Sequence, residues 1–489
     1  MTGFAALLRA EWTKVRTVRG WVSGLAAAAL VTVLLGMLTL GGGGSRCGSP
    51  GCGPTLGPGG EGVADAFTFV HQPLEGDGSI TVRVTSLTGD GGGLQEWAKA
   101  GVIIKRDTTQ GSAYAAVMIT GSHGVRMQDD FTHDTAGSPA AVTSRWLRLV
   151  RAGDTLTGYE SADGMSWTRV GTAHLSGLPA AVQAGLFVTS PDSTVTQQSF
   201  GSAGSFGGPS QATAAFDHVS LQGRTPGSTW SDDEIGRSTG GPAPTPYVGF
   251  RRSGGTFTLS GSGDIAPDVA GPDGDTLERS LVGVFGGLIA VIVVATMFIT
   301  SEYRRGLIRT TLAASPGRGR VLAAKAVVIG SVAFAAGLVG TAGASWIVGG
   351  IRHQQGQLVL PVSTLTALRV VVGTAALIAV VAVLALAVGT LLRRGATAVT
   401  TVIALAVLPY VLSVAPVLPV GAAQWALRLT PAAGFAIQQS TPQYAQVSAA
   451  YTPLTGFFPL APWAGFAVLC TWTAAALGLA LVFLRRRDA

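Results

Sequence analysis

Apolar residues in this 489-residue chain fall into two patterns. Six long runs, at roughly 20–40, 280–300, 322–349, 366–391, 396–416 and 463–484, carry almost no charge. At about 1.5 Å per helical residue each can cross about 30 Å of hydrocarbon, so the pattern predicts six transmembrane helices. Between the first two runs the apolar stretches shorten and alternate with polar residues, and Gly, Asp and Ser break them at about eight- to twelve-residue intervals. That pattern predicts antiparallel strands over Ser79–Ser86, Ala100–Lys105, Tyr114–Thr120, Trp146–Arg151, Leu156–Ser161, Trp167–Thr172, Ala184–Thr189 and Ala215–Leu221. The expected fold class is mixed: a six-helix α transmembrane bundle with an inserted all-β sandwich.

These patterns divide the chain. Residues 1–41 hold an interfacial helix and the first span, 42–62 a Gly-rich linker, and 63–222 the β domain. Residues 223–278 read as a Gly/Pro/Ser-rich linker, in which Phe257–Leu259 suggests a strand of no assigned place. Residues 279–489 supply five further spans, with a loop at 300–320. In the first segment Phe4, Leu8, Trp12 and Val15 recur at helical spacing while Arg9 and Arg16 share another face. Such a helix lies in the membrane interface, although a plain basic anchor would look the same.

Charge orients this arrangement. Outside 42–278 the chain has 19 Lys and Arg against three acids, whereas 42–278 has 14 against 23, a net of −9. Fifteen of the 19 flank the apolar runs: Arg9, Lys14, Arg16, Arg19, Arg304, Arg305, Arg309, Arg318, Arg320, Lys325, Arg393, Arg394 and Arg485 to Arg487. The positive-inside rule is satisfied when both ends are cytoplasmic and 42–278 is extracytoplasmic, in a multi-pass protein of the cell membrane. The overall net charge of +7 therefore implies anionic membrane lipid as a partner and gives no reason to expect nucleic acid.

The candidate chemistry is sparse. Cys47 and Cys52 form a candidate disulfide in the outward segment, Cys470 lies in the last run, and no cluster has metal-ligand spacing. The first run has no small-residue cleavage site after it, so it reads as an uncleaved helix. Asp, Glu and His are missing from the span interiors, which argues against an ion relay, and Arg369 and Lys325 lie near enough to span ends to snorkel. No Gly-x-x-x-x-Gly-Lys-[Ser/Thr] occurs, so any ATP hydrolysis belongs to a separate subunit and this chain needs no cofactor of its own. The loop at 300–320 predicts a short helix ending before Pro316, with Tyr303, Leu307 and Ala314 on one side and Arg305 and Arg309 on another. Such a helix could receive force from a soluble partner, or mark only a topological stop.

Two resemblances sharpen these readings. Glu-Trp-Ala-Lys-Ala-Gly-Val-Ile-Ile-Lys-Arg at 96–106, Trp-Leu-Arg-Leu-Val-Arg at 146–151, Ser-Ala-Asp-Gly-Met-Ser-Trp-Thr-Arg-Val-Gly at 161–171, Gly-Leu-Phe-Val-Thr-Ser at 185–190 and Ala-Phe-Asp-His-Val-Ser-Leu at 215–221 resemble the concanavalin-A-like jelly roll. That family includes glucanases and lectin-like modules, but the Glu-x-Asp-x-x-Glu strand of its catalytic members is missing, so no glucanase activity is expected. Trp97, Tyr114, Trp146 and Trp167 are candidate contacts for an envelope glycan, against the plainer reading that Trp146 and Trp167 simply fill the sandwich core. Asp163-Gly164 reads as a hairpin turn rather than a calcium site.

The second resemblance is carried by Glu302-Tyr303, Gly306-Leu-Ile-Arg309-Thr-Thr-Leu312, Pro316-x-Arg318 and Leu322-x-x-Lys325, with the basic first segment and the closing Arg-Arg-Arg-Asp-Ala. Together these resemble type-2 ABC exporter permeases. The resemblance implies a cytoplasmic ATPase subunit that binds ATP, a second permease subunit in a homo- or heterodimer, and an ATPase-coupling role for Glu302, Tyr303, Gly306, Arg309, Leu312, Pro316 and Arg318. It also implies short re-entrant helices within 417–462, where an aromatic-rich interfacial loop is the alternative. The rival function is a non-transporting, membrane-anchored glycan-binding sensor or envelope protein.

Overall fold

The computed structural model describes all residues except 1, 39, 41–54, 91–92, 140–143, 200–201, 228, 237–248, 269–275, 315–316, 355–359, 415–416, 448–452, 454–455 and 488–489. Cys47 and Cys52 lie outside the described residues.

The amphipathic first segment forms α1 (Thr2–Thr17), which turns at Val18 into α2 (Arg19–Leu38). The remaining apolar runs form α3 (Val284–Arg304), α5 (Arg318–Gln354), α6 (Thr364–Leu392) and α10 (Pro462–Arg487), with α4 (Leu307–Ala314) between α3 and α5. The fifth run breaks into α7 (Gly395–Ala406) and α8 (Leu408–Val414), bent by 42°. Pro409 in the first turn of α8 has no N–H to continue the preceding hydrogen-bond ladder. Five described helices are long and apolar enough to cross a membrane, or six if the bent pair is one span.

Helices α2, α3, α5 and α6 form the packed centre, and α10 leans on α6. Lipid offers no hydrophobic drive for helix association, so close backbone approach at small residues matters instead. A Cβ on Gly283 would lie 2.1 Å from the Thr32 carbonyl oxygen, and one on Gly287 2.1 Å from Thr32 Oγ1. Only glycine permits this α2–α3 contact.

After α8 the chain forms α9 (Val420–Leu429) and a 3-10 helix, Pro431–Gln438, every residue of which is buried against α6 and α10. Among the described residues, 417–462 therefore holds two short helices in a stretch where either short re-entrant helices or an interfacial loop is expected.

The β domain is built around one long strand, β2 (Phe67–Asp90). Its first half runs between β14 (Ser231–Ile235) and β10 (Ala181–Thr189), and the sheet continues through β3 (Lys99–Lys105), β4 (Tyr114–Thr120), β5 (Val125–Asp129) and β6 (His133–Ala136). Its second half runs between β13 (Gln211–Arg224) and β7 (Arg145–Ala152). The flanks are β16 (Thr256–Gly261) with β15 (Phe250–Ser253), and β8 (Thr155–Ser161) with β9 (Thr168–His174). The strand changes layer near Gly76, whose φ of +70° suits glycine. Between the layers lie alternating side chains such as Val70, Val82, Val117, Leu147, Leu186 and Phe216, all fully buried. β11 (Ser193–Ser199) and β12 (Ser202–Gly208) form a separate hairpin.

Two expectations need correcting. The stretch 223–278 is not simply a linker: β14, β15 and β16 pair into the main sheet, which gives Phe257–Leu259 its place beside β13. Nor do Trp146 and Trp167 fill the core. On β7, Leu147 and Leu149 point inward, so the alternation turns Trp146 to the outer face.

Outside the first layer, β1 (Val63–Asp65) pairs with β17 (Ile265–Pro267) in a ribbon lying over a second apolar cluster that includes Phe67, Phe69, Tyr114, Phe131 and Phe187. Lys99 and Lys105 project from the same face of β3, six residues apart, and both are fully buried. Lys105 Nζ sits 2.8 Å from Asp65 Oδ2, and Lys99 Nζ 2.6 Å from both Asp264 Oδ1 and the Ile265 carbonyl oxygen. Each lysine thus fastens one strand of the ribbon.

Candidate functional site

The loop between α3 and α5 is held from below by a buried cluster of charge. Helix α3 ends at Arg304, and Gly306 takes a φ of +69°, which reverses the chain into α4. One turn before that reversal, Glu302 points inward and is 6% exposed. Its Oε1 lies 2.7 Å from Lys325 Nζ on α5 and 3.0 Å from Lys14 Nζ on α1. Lys325 also reaches Glu11 Oε2 at 2.9 Å, and Lys14 reaches Glu11 Oε1 at 2.8 Å. Two acids and two bases therefore close a neutral node joining α1, α3 and α5.

Burial makes the node consequential. Glu11 is 2% and Lys325 1% exposed, and the Lys325 ammonium stands 5.2 Å from the centroid of the Phe298 ring. Charges taken from water cost several kcal/mol each unless matched, so such a set gives little net stability but penalises every arrangement that separates its members. Glu302 Oε2 is buried and makes no hydrogen bond among the described residues.

The other expected coupling residues divide. Tyr303 is half-buried, with the Arg393 guanidinium 5.1 Å from its ring centroid, and Arg318 donates to the Leu484 and Arg485 carbonyl oxygens at 2.8 and 3.0 Å. Both are engaged within the chain. Gly306 and Leu307 are exposed, whereas Ile308 is buried. The side chains of Arg309 and Leu312, and all of Pro316, lie outside the described residues. Lys325 does not snorkel as expected, because two carboxylates meet it where it stands. The clue lay in the acids: of three outside 42–278, two are Glu11 and Glu302.

At the other end of α3, Glu278 is buried two residues before the expected span. It accepts from the backbone N–H of Ser440 and, at 2.5 Å, from Ser440 Oγ, tying the start of that helix to the segment after the 3-10 helix. Nearby, Gln446 donates its Nε2–H to the Phe131 carbonyl oxygen at 3.1 Å, which joins the β domain to the same segment.

The four aromatic candidates are not brought together. Trp97 is 4% exposed and stacked on His123, with centroids 4.0 Å apart, and Tyr114 is buried edge-on to Phe131. Trp146 and Trp167 lie on the other layer; a Cβ on Gly164 would touch the Trp146 ring at 2.8 Å, and the Arg148 guanidinium covers Trp167 at 3.9 Å. Beside Trp146, Arg83 holds the Asp217 carboxyl down to about 2. Asp163 Oδ1 accepts from the Met165 and Ser166 N–H groups, both at 2.8 Å, and these bonds hold its carboxyl well below the usual range. That is the turn read from the sequence.

An inserted β domain on a bundle of apolar helices defines a multi-pass membrane protein. The family model described as ABC-2 family transporter protein matches residues 115–489, and the chain belongs to that family. Membership makes it a transporter's membrane subunit and implies a cytoplasmic ABC ATPase as partner. No curated protein matches the chain. Among solved structures, a GH43 protein from Bacillus licheniformis is similar at 14% identity over 23% of this chain and 24% of its own, with a TM-score of 0.18. The chain thus spans about a quarter of that structure. A functionally unknown protein from Saccharomyces cerevisiae is similar at 16% identity over 32% of this chain and 73% of its own, with a TM-score of 0.22. Scytalido-glutamic peptidase is similar at 12% identity over 41% of this chain and 98% of its own, with a TM-score of 0.27. None of these likenesses bears on function.

Proposed function

We propose that this chain is the permease subunit of an ATP-driven exporter, paired with a second permease subunit and served by two cytoplasmic ATPases. Helix α4 is its coupling helix, with Gly306, Arg309 and Leu312 offered to the ATPase, while Glu302, Tyr303 and Arg318 hold the loop in place. The observation that carries this reading is the reversal at Gly306 into a short helix set directly above a buried charge node, at the arginine-flanked end of the bundle. Both chain ends lie on that side. The β domain, from 63 through β17, is a concanavalin-A-like jelly roll on the other side, and the covered faces of its four aromatic candidates favour a structural role over glycan capture.

Two measurements test this. Affinity purification of the full chain from its native membrane should bring down an ABC ATPase in near-equal amount; its consistent absence would remove the exporter reading. In a background with Cys47, Cys52 and Cys470 replaced by serine, single cysteines at Met165 and Thr310, both exposed, should react with impermeant reagent from opposite sides. Labelling of both from one side would overturn the orientation.

A further inference from the structure

We propose that Lys325 is a positioning residue that makes α1, the root of the coupling helix and α5 one mechanical unit, so that the interfacial helix α1 moves with α4. This rests on the reading of α4 as the coupling helix. The motive is geometric. Lys325 alone touches both carboxylates from a third helix, at 2.9 Å to Glu11 and 2.7 Å to Glu302. Lys14 closes the ring from α1, and Leu8 and Val15 on the same helix pack into the membrane core cluster. Any displacement of α4 passes through Gly306 to the last turn of α3, where Glu302 sits. It must then either drag Lys325 and Glu11 along or strand a buried carboxylate, so the three helices shift together.

An ordinary basic anchor would not require this. It would hold its lysines in the headgroup region, and its acids would be exposed or absent. Here the one acid of α1 is directed inward to a partner 314 residues further along the chain.

The test uses the purified full chain in nanodiscs and amide hydrogen exchange. The informative variant is Lys325→Met with Glu302→Gln, which removes one charge of each sign and leaves Glu11 paired with Lys14. It should melt with the wild type, yet the amides of Leu8–Thr17 should exchange about tenfold faster because α1 is no longer tied down. Reciprocally, Glu11→Gln, altered only on α1, should speed exchange across Tyr303–Thr310. In the complex with its ATPase, ATP should change the exchange of α1 in the wild type and not in the double variant. Unchanged α1 exchange in the double variant, or a Glu11→Gln effect confined to α1, overturns the inference whatever the ATPase does. An ATP response of α1 that survives in the double variant also overturns it. Failure to recover any ATPase counts against the exporter reading instead, and leaves both exchange comparisons in force.

Discussion

Lys105→Met should destabilise the β domain of the membrane-embedded chain by about 3–5 kcal/mol, as expected when one partner of a buried ion pair is removed. Both side chains are fully buried and 2.8 Å apart. Asp65 would keep one bond, from the Gly111 N–H at 2.7 Å, and lose its counter-charge. Burial already pushes the Asp65 carboxyl above its ordinary value of 3.8, and Lys105 is the largest influence opposing that rise. Without Lys105 the folded value rises further, so the folded variant binds a proton more readily than the unfolded chain. Its deficit should therefore be largest at neutral pH and shrink as pH falls through the raised folded value towards 3.8. A second change, Asp65→Asn, should recover much of the loss, because a neutral amide costs far less to bury than a lone carboxylate. Urea-dependent proteolysis of the β domain in the full chain measures all three. A loss below about 0.5 kcal/mol at neutral pH, as for an exposed pair, would show that Lys105 does not fasten the ribbon.

Arg309→Ala combined with Leu312→Asp should abolish recovery of the ATPase while the protein still inserts and its β domain stays protease-resistant. Losing a charge that is buried and paired on docking costs about 2–5 kcal/mol. At about 1.4 kcal/mol per tenfold, that is roughly thirtyfold to several thousandfold in affinity before the apolar contact of Leu312 is counted. An arginine that served only membrane topology would cost the complex almost nothing. Full recovery of the ATPase with the double variant would return α4 to the role of a topological stop.

The two acids of the node stand out by their rarity outside 42–278, but nothing local tells Lys14 and Lys325 apart from the basic residues beside them. Lys325 reads as a snorkelling residue because its distance from a span end is a local fact, whereas its acids lie 314 and 23 residues away. Glu302 reads as an outward contact because the motif places it at the loop's edge. One turn of helix decides whether it faces a partner or the interior. Trp146 shows the converse limit, since aromatic size predicts burial but the period of β7 assigns its face.

The sequence by itself determined what depends on near neighbours: the runs able to cross a membrane, the arginines that flank them, the strands β3, β4, β7 and β8, and the turn at Asp163-Gly164. Each follows from hydropathy, period or turn chemistry within a few residues. Only the tertiary structure decided that stretches far apart in the chain close on one another. It brought β14, β15 and β16 into the sheet across a tract rich in glycine and proline, and set Lys99 and Lys105 against the β1–β17 ribbon. It also assembled Glu11, Lys14, Glu302 and Lys325 from three helices. The physical reason is that a charge's partner is chosen by burial: once folding removes water, the nearest opposite charge in space must replace it, however distant in sequence.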